Sequence, residues 1–389
     1  MARKPNTTHV ISPTSLEFFC RNSIFLKDKD RRFIHGQITA TAEFIYRFCH
    51  PFPVGVFLYG SLARGEPACG RETGGKRFMG SDLDLIMVCK PEDRILADEL
   101  AGYINKQLPE LGLAARKDPN PGAKFVKVES LDEVKAMHGF AATTMAMAIK
   151  HPLYGGLEVV PPARGMIDGF MLLDQLASRV VQVTKAAATQ NLPRYHGNHE
   201  PGMNRHYHDL YHKLRFGLDC CRVALGPDVE NHSYREVFQN RELSKIRRLF
   251  SPEEVVRLIE ARERFGEVEP PAFDLPTIIG KTLDIFIDRD QPGALQTFLQ
   301  RLHWPQYLYQ MGVLLSFAGH KTTFAGAECD VALDSLMDRL TELFDLELPA
   351  DRSNLLTVLV EGSGRYTELR ETYNHGRMTK HLRAFISAC

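Results

Sequence analysis

The 389-residue sequence lacks several features, and each absence excludes a class of protein. It has no run of about 18 apolar residues, so no transmembrane helix is expected. The N-terminus carries basic residues without an apolar segment after them, so no secretory signal is predicted. Lys and Arg together number 48, as do Asp and Glu, and this zero net charge argues against a dedicated nucleic-acid-binding protein.

Cysteine is also scarce. The eight cysteines are too few for a disulfide scaffold, and none forms a paired Cys-x-x-Cys arrangement of the kind that binds zinc. Reduced thiols and a cytoplasmic location are therefore predicted. The hydrophobic fraction of 44% and the charged fraction of 25% are ordinary, and the length predicts a globular chain of about two domains.

Two short apolar runs, separated by a polar loop, stand out from the rest of the chain. The first run, 54–59, ends at Gly60-Ser61, and the second, 83–88, follows Ser81. Both runs are too short for typical helices and are bounded by glycine or polar residues, so they are predicted to be buried strands.

Asp82 and Asp84 stand two positions apart at the start of the second run, so their side chains project to the same face of a strand. Two such carboxylates repel each other unless a cation lies between them, and oxygen-only ligands suit Mg²⁺. Gly60 removes a side chain where backbone N–H groups can approach a phosphate, and Ser61 adds a hydroxyl beside it. Phosphate-binding and metal-binding groups at the ends of two neighbouring strands indicate nucleotidyl transfer.

The segment GSLARG followed by SDLDLIMV resembles the signature of the DNA polymerase beta type nucleotidyltransferase superfamily. The segment LYGSLARGE is similar to the corresponding segment of minimal nucleotidyltransferases and aminoglycoside adenylyltransferases. The resemblance covers roughly residues 30–160 and implies an α/β (α+β) catalytic domain with a short mixed sheet at 31–162. A lead-in at 1–30 would precede it, and a large all-α domain at 163–389, with a joint near 265–276, would follow.

The resemblance also implies a third carboxylate on a strand after the Asp pair, which would complete the metal site or accept the proton of the attacking hydroxyl. Glu129, on a predicted strand at 123–130, is favoured for this role. Glu158, on a predicted strand at 157–160, is the alternative. The implied cofactor is Mg²⁺, as two ions held by Asp82, Asp84 and the third carboxylate, and the implied substrate is a nucleoside triphosphate, with ATP favoured.

Further residues are implied to hold the triphosphate. The loop after Ser61 is longer than in relatives, and Cys69–Gly80 is interpreted as an insertion. It is either a flap that contacts triphosphate or acceptor or, as favoured here, a solvated surface loop. The nucleotide-binding candidates are Gly60, Ser61, Arg64, Ser81, Lys76 and Arg77, together with Lys213 and Arg215 if the helix stripe that carries them faces the catalytic cleft rather than solvent.

Helical periodicity marks the segments on either side of these strands. Helices are predicted at 30–52 and 91–108 and, in the later region, at 205–225, 233–249, 252–264 and 276–288. His208 and His212 lie four apart on the first of these later helices. Such a pair can bind a transition metal, line a catalytic cleft or lie on a solvated face, and the absence of an obvious third ligand disfavours zinc.

Within the nucleotidyltransferase class, three kinds of acceptor could provide the hydroxyl that receives the nucleotide. A small molecule such as an aminoglycoside, implying antibiotic resistance, is favoured by the domain order and the zero net charge. Modification of tRNA or protein, as in toxin–antitoxin systems, is the second, and synthesis of a cyclic or oligomeric nucleotide is the third. A catalytically inactive nucleotide-binding module is the alternative from a different class.

Overall fold

The computed structural model describes residues 11–71, 75–81, 83–110, 125–137, 139–162, 201–226, 232–287 and 305–318, with isolated positions at 173, 176–177, 180, 331, 334–336 and 338–339. These residues form a mixed α/β structure with small mixed sheets and many helices, which confirms the broad fold class. The chain divides into two compact units. The first includes the residues up to 165 and the segment Glu260–Val268, and most of the remaining chain belongs to the second.

Every strand among the described residues belongs to the first unit. Its elements in chain order are α1 (Pro13–Phe18), α2 (Asp28–Cys49), β1 (Gly55–Leu58), α3 (Gly60–Ala63), β2 (Cys69–Arg71), β3 (Arg77–Met79), β4 (Leu85–Cys89), a 3₁₀ turn (Pro91–Asp93), α4 (Arg94–Glu110), β5 (Val126–Ser130), α5 (Leu131–Lys135), α6 (Gly139–Ala148), β6 (Tyr154–Gly155) and, after a long excursion, β7 (Arg264–Phe265).

A four-stranded mixed sheet in the order β5-β4-β1-β6 forms the centre of this unit. Strand β1 runs antiparallel to β4 and β6, whereas β4 and β5 are parallel. All residues of β1 and β4 are buried, because helices cover both faces of the sheet. This double burial explains why both strands appear in the sequence as continuous apolar runs rather than as alternating patterns.

The two faces of the sheet have separate cores. Helices α2 and α4 cover one face, where Ile34, Ile38 and Ile45 of α2 pack in the same cluster as Val56 and Met87 of the strands. The spacing of these isoleucines places them on one side of a helix, which is why the periodicity predicted α2. Helices α5 and α6 cover the other face, in a cluster that includes β1 and β4 residues.

The predicted strand at 157–160 is wrong. The strand that pairs with β1 is β6, at Tyr154–Gly155, and its partners are Val56 and Gly55. The chain turns immediately afterwards at Gly156, where a side chain would collide with the ring of Tyr154 and with the Phe52 carbonyl oxygen. Strand β6 therefore pairs with the edge of β1 and ends before Leu157.

The segment interpreted as an insertion is not a simple surface loop. Strands β2 and β3 form an antiparallel hairpin from Cys69 to Met79, and β7 pairs in parallel with the other edge of β2. Residues 72–74, at the tip, lie outside the described part of the chain. The preference for a loop was wrong because the pairing partner of β2, β7, lies almost 200 residues away in sequence.

The described elements of the second unit are helical. They are α7 (Pro201–Leu225), α8 (Tyr234–Gln239), α9 (Ser244–Arg247), the greater part of α10 (Pro252–Glu263), α11 (Leu275–Phe286) and α12 (Pro305–Ala318). The predicted helices at 205–225, 252–264 and 276–288 are confirmed, whereas 233–249 is two short helices, α8 and α9.

Within the second unit, α7 packs most extensively against α11. Leu214, Leu218 and Cys221 of α7 are fully buried. A buried ion pair between Arg222 and Asp219 (2.7 Å) lies on the same helix, with the Arg222 guanidinium over the Tyr234 ring. No described helix combines the length and apolar character needed to cross a membrane.

Candidate functional site

The turn after β1 and the start of β4 meet at one edge of the central sheet. The Tyr59 N–H donates to the Asp84 carbonyl oxygen at 2.8 Å, so the two strand ends are held side by side. Gly60 has a φ of +61°, and a Cβ at this position would collide with the Asp84 carboxylate. The glycine is therefore required for two reasons, its left-handed backbone conformation and the close approach of Asp84.

The structure thus brings together two of the predicted site residues, Gly60 and Asp84. Asp84 is exposed, and it carries oxygen donors of the type that Mg²⁺ prefers. The space that a Cβ on Gly60 would fill lies directly against that carboxylate. Asp82 lies outside the described residues, so its position beside Asp84 remains a prediction from strand spacing.

The two serines of the motifs are nearly or fully buried. Ser61 lies within the single turn α3, and its carbonyl oxygen accepts the Glu66 N–H at 2.9 Å. The Ser81 hydroxyl accepts a hydrogen bond from the Ala68 N–H at 2.8 Å. This bond joins the chain before β2 to the chain after β3, so Ser81 has a clear structural role at the base of the hairpin.

Arg64 forms an ion pair within the protein. Its Nε donates to the Glu66 carboxylate at 3.1 Å, and both side chains are at least nine-tenths buried. A buried guanidinium that already binds a carboxylate is held in one place by strong, charge-assisted hydrogen bonding. This geometry indicates that Arg64 stabilises the Gly60-Ser61 turn.

The N-terminal segment also contacts this turn, a role that the sequence did not indicate. The Arg21 guanidinium donates to the Ala63 carbonyl oxygen at 3.0 Å, and the Asn22 side chain donates to the Arg64 carbonyl oxygen at 2.6 Å. The Asn22 backbone N–H donates to the Gly65 carbonyl oxygen at 2.9 Å. Burial lowers the pKa of Arg21 to about 10. Because the acceptors are backbone carbonyls, no residue pattern in the sequence could have indicated these bonds.

Glu129 is buried on β5 and lies away from the Gly60–Asp84 edge. In the parallel ladder of β4 and β5, Glu129 is the partner of Val88, four residues further along β4 than Asp84. Its carboxylate accepts from the Lys127 ammonium at 2.8 Å. Strand geometry gives a separation along the sheet of about 13 Å between the levels of Asp84 and Glu129.

Glu158, the alternative third carboxylate, is also not at this edge. The residue before it, Leu157, lies next to Gly55, at the opposite end of β1 from Gly60. Within the described residues, no group of three or more His, Cys, Asp or Glu side chains has the geometry of a metal site.

The two nucleotide-binding candidates of the hairpin, Lys76 and Arg77, differ in their environment. Arg77 donates to the fully buried Asp30 at 2.7 Å, and Arg71 reaches the same carboxylate oxygen at 3.5 Å. Arg71 also pairs with Glu267, which lies just after β7. Lys76 is exposed to solvent. Arg77 therefore anchors the hairpin to α2, and of the two candidates only Lys76 extends into solvent.

Arg77→Met is expected to lower the free energy of unfolding by about 1–2 kcal/mol, because Asp30 would remain buried with a weaker partner and the pair is partly screened by solvent. Urea denaturation measures this effect, with Lys76→Met, at the exposed neighbouring residue, as the control. An unchanged free energy of unfolding in Arg77→Met would show that the pair with Asp30 does not anchor the hairpin.

The remaining candidates lie on α7 in the second unit. The Lys213 ammonium lies 4.9 Å from the centre of the Phe273 ring, an arrangement that favours a cation–π attraction. Arg215 is half-buried. The side chains of His208 and His212 lie outside the described residues. A phosphate-binding role for Lys213 and Arg215 stays a prediction.

Gly60→Ala is expected to destabilise the protein by about 1–2 kcal/mol, because an L-residue is strained at this positive φ. Gly36→Ala is the matched control, since a Cβ at Gly36 in α2 meets no neighbour within 4 Å and helix propensity predicts a small gain in stability. Unchanged stability of Gly60→Ala in urea denaturation would contradict the described turn.

Comparison of the chain with models of known families, with curated proteins and with solved structures gives no match.

Proposed function

We propose that the protein is a Mg²⁺-dependent nucleotidyltransferase that moves AMP from ATP to a hydroxyl of a small molecule and releases pyrophosphate. The observation that carries the proposal is the contact between Gly60 and Asp84 at the ends of two adjacent strands. This contact joins a turn without a side chain, suited to a phosphate, to an exposed carboxylate, suited to a cation.

The proposed reaction would use these groups. The acceptor oxygen forms a bond to the α-phosphorus, the bond from that phosphorus to the bridging oxygen breaks, and pyrophosphate leaves as the acceptor proton passes to solvent. Asp84, with Asp82 from its place in the sequence, would hold Mg²⁺. The metal would neutralise charge on the triphosphate. The Gly60 turn leaves room for phosphate oxygens, while the bonds from Arg21 and Asn22 keep that turn rigid before substrate binds.

The zero net charge supports a small-molecule acceptor over tRNA, since nucleic-acid binding draws mainly on an excess of positive charge. Arg64 and Arg77 are both paired with carboxylates, which offset their positive charges. A cationic acceptor such as an aminoglycoside agrees with this balance. Modification of tRNA or protein and synthesis of a cyclic or oligomeric nucleotide are the other products that the same chemistry allows.

A nucleotide-binding module without transferase activity is the second candidate. The pairing of Glu129 with Lys127 favours it, because this carboxylate is held away from Asp84 and cannot easily accept the proton of an attacking hydroxyl there. Such a module would bind nucleotide in the presence of Mg²⁺ without releasing pyrophosphate.

The test is transfer of label from each α-³²P nucleoside triphosphate in the presence of Mg²⁺. Parallel reactions contain an aminoglycoside panel, total tRNA, a mixture of proteins or no acceptor. Label on an antibiotic is the expected result. Label on tRNA or protein, or in a new nucleotide without acceptor, would change the acceptor class. Mg²⁺-dependent nucleotide binding with no pyrophosphate release above that of Asp82→Ala/Asp84→Ala would favour the binding module.

A further inference from the structure

Three charged side chains follow one another in space along one face of the central sheet. Lys127 pairs with Ile86 and Glu129 with Val88 in the β4–β5 ladder, and Asp84 directly precedes β4. Since partners in a parallel ladder point to the same face and every second residue shares it, Asp84, Lys127 and Glu129 are on the face that α5 and α6 cover further along. Lys127 is about 7 Å further along the strand than Asp84, and Glu129 about 13 Å.

The charges alternate along this line. The Lys127 ammonium lies 2.8 Å from a Glu129 carboxylate oxygen, and Glu129 has only 2% of its side chain exposed. A carboxylate buried to this degree needs a cation or several hydrogen bonds, and the ammonium provides the cation. Lys127 itself is 55% exposed, so its side chain extends from the buried Glu129 towards solvent.

An ammonium group has three N–H donors, and the bond to Glu129 uses one of them. The other two donors are suited to bind an anion that approaches the Asp84 edge of the sheet. A divalent ion placed between Asp84 and Glu129 would have to approach this ammonium and would be repelled by it. Paired metal ions in transferases are about 3.5–4 Å apart. A carboxylate about 13 Å along the strand cannot readily complete such a pair.

We propose that Lys127, rather than a second metal ion, supplies the second positive charge of the site, and that the chain takes one divalent cation with its nucleotide. The proposal rests on the nucleotidyltransferase function proposed above. It changes the expectation of two ions to one, and it makes Lys127 a binding residue for a phosphate oxygen of the nucleotide. Glu129 becomes a positioning residue, which holds the Lys127 ammonium and binds no metal.

The test counts Mn²⁺ ions bound per chain by electron paramagnetic resonance, in the presence of saturating α,β-methylene ATP. This analogue is not cleaved at the reacting bond, so the measurement does not depend on turnover. The wild-type protein is expected to bind one Mn²⁺ per chain in its complex with the analogue. Two bound ions would overturn the single-ion proposal and leave the proposed transferase function in place. Absence of both Mn²⁺ and analogue binding would overturn the transferase function itself.

Variants at Lys127 test the second part. Lys127→Met/Glu129→Gln removes both charges together, so that no buried carboxylate is left without a partner. This double variant is expected to weaken analogue binding about 10–100-fold, which is the equivalent of one charge-assisted hydrogen bond. Lys127→Arg should keep most of the affinity. The control is Lys90→Met, at an exposed lysine beyond the far end of β4. Unchanged affinity in the double variant, at unchanged stability, would contradict a role for Lys127 toward the nucleotide.

Discussion

Replacing Asp84 with asparagine is expected to slow nucleotide transfer by about 10²–10³-fold, the scale of losing one preorganised electrostatic group from an active site. The fold should remain intact, because Asp84 is exposed and its backbone carbonyl, which accepts the Tyr59 N–H, is retained by the variant. Asparagine keeps the shape of the side chain and removes its negative charge. The affinity for Mn²⁺ should fall together with the rate.

The control for Asp84→Asn is Glu99→Gln, which removes one exposed carboxylate from α4 and should change neither rate nor metal affinity. Pyrophosphate release and Mn²⁺ titration give the two readouts, and circular dichroism confirms the fold. Transfer by Asp84→Asn at the wild-type rate would remove Asp84 from the reaction and leave the Gly60 turn without its proposed function.

The second large effect concerns Glu263, at the C-terminus of α10. Its buried carboxylate accepts hydrogen bonds from the backbone N–H groups of Ile24 (2.9 Å), Phe25 (2.6 Å) and Leu26 (3.2 Å), just before α2. These bonds fasten the segment Glu260–Val268 to the N-terminal part of the same unit. Burial raises the pKa of Glu263 from 4.5 to about 7, although the three N–H groups and the neighbouring Arg262 act in the opposite direction.

This raised pKa makes stability depend on pH in a defined direction. Between 4.5 and about 7 the folded protein binds more protons at Glu263 than the unfolded chain, so the contribution to the free energy of unfolding falls as pH increases through this window. It is fully present below pH 4.5 and lost above about 7. The shift corresponds to about 3 kcal/mol.

Glu263→Gln isolates this contribution, because the amide keeps an oxygen acceptor for the N–H groups and does not titrate. The advantage of the wild type over Glu263→Gln in the free energy of unfolding is expected to shrink by about 3 kcal/mol from pH 4.5 to pH 7.5. Urea denaturation at several pH values measures it, with Glu253→Gln, an exposed carboxylate on the same helix, as the control. A difference between wild type and variant that stays constant over this window would show that the pKa of Glu263 is unshifted.

Local features of the structure were predictable because they depend on neighbours in sequence. The apolar runs around Gly60 and Asp84 are the strands β1 and β4, and they are antiparallel neighbours. The isoleucine spacing of α2 and the periodicity of α10 and α11 also correspond to helices. In each case the pattern reports which faces are buried, and burial on one face or on both is a property of a short segment.

The partners of the charged residues were not predictable in this way. Arg77 was selected as a phosphate-binding residue for its charge, yet it pairs with the Asp30 carboxylate in the folded chain. A basic residue in a sequence carries no sign of whether an acid far along the chain will meet it, and Asp30 is 47 positions from Arg77. The contacts of Glu263 with the N-terminal segment span almost 240 positions.

The sequence by itself determined the two strands around the Gly60 turn and the helices with regular apolar spacing. Only the tertiary structure decided the register of β5 against β4, and with it the placement of Lys127 between the levels of Asp84 and Glu129. The physical reason is that periodicity records burial along one strand, whereas register depends on how two distant strands pair. A shift of two residues in that pairing would preserve every buried face and would bring a different charge to the site.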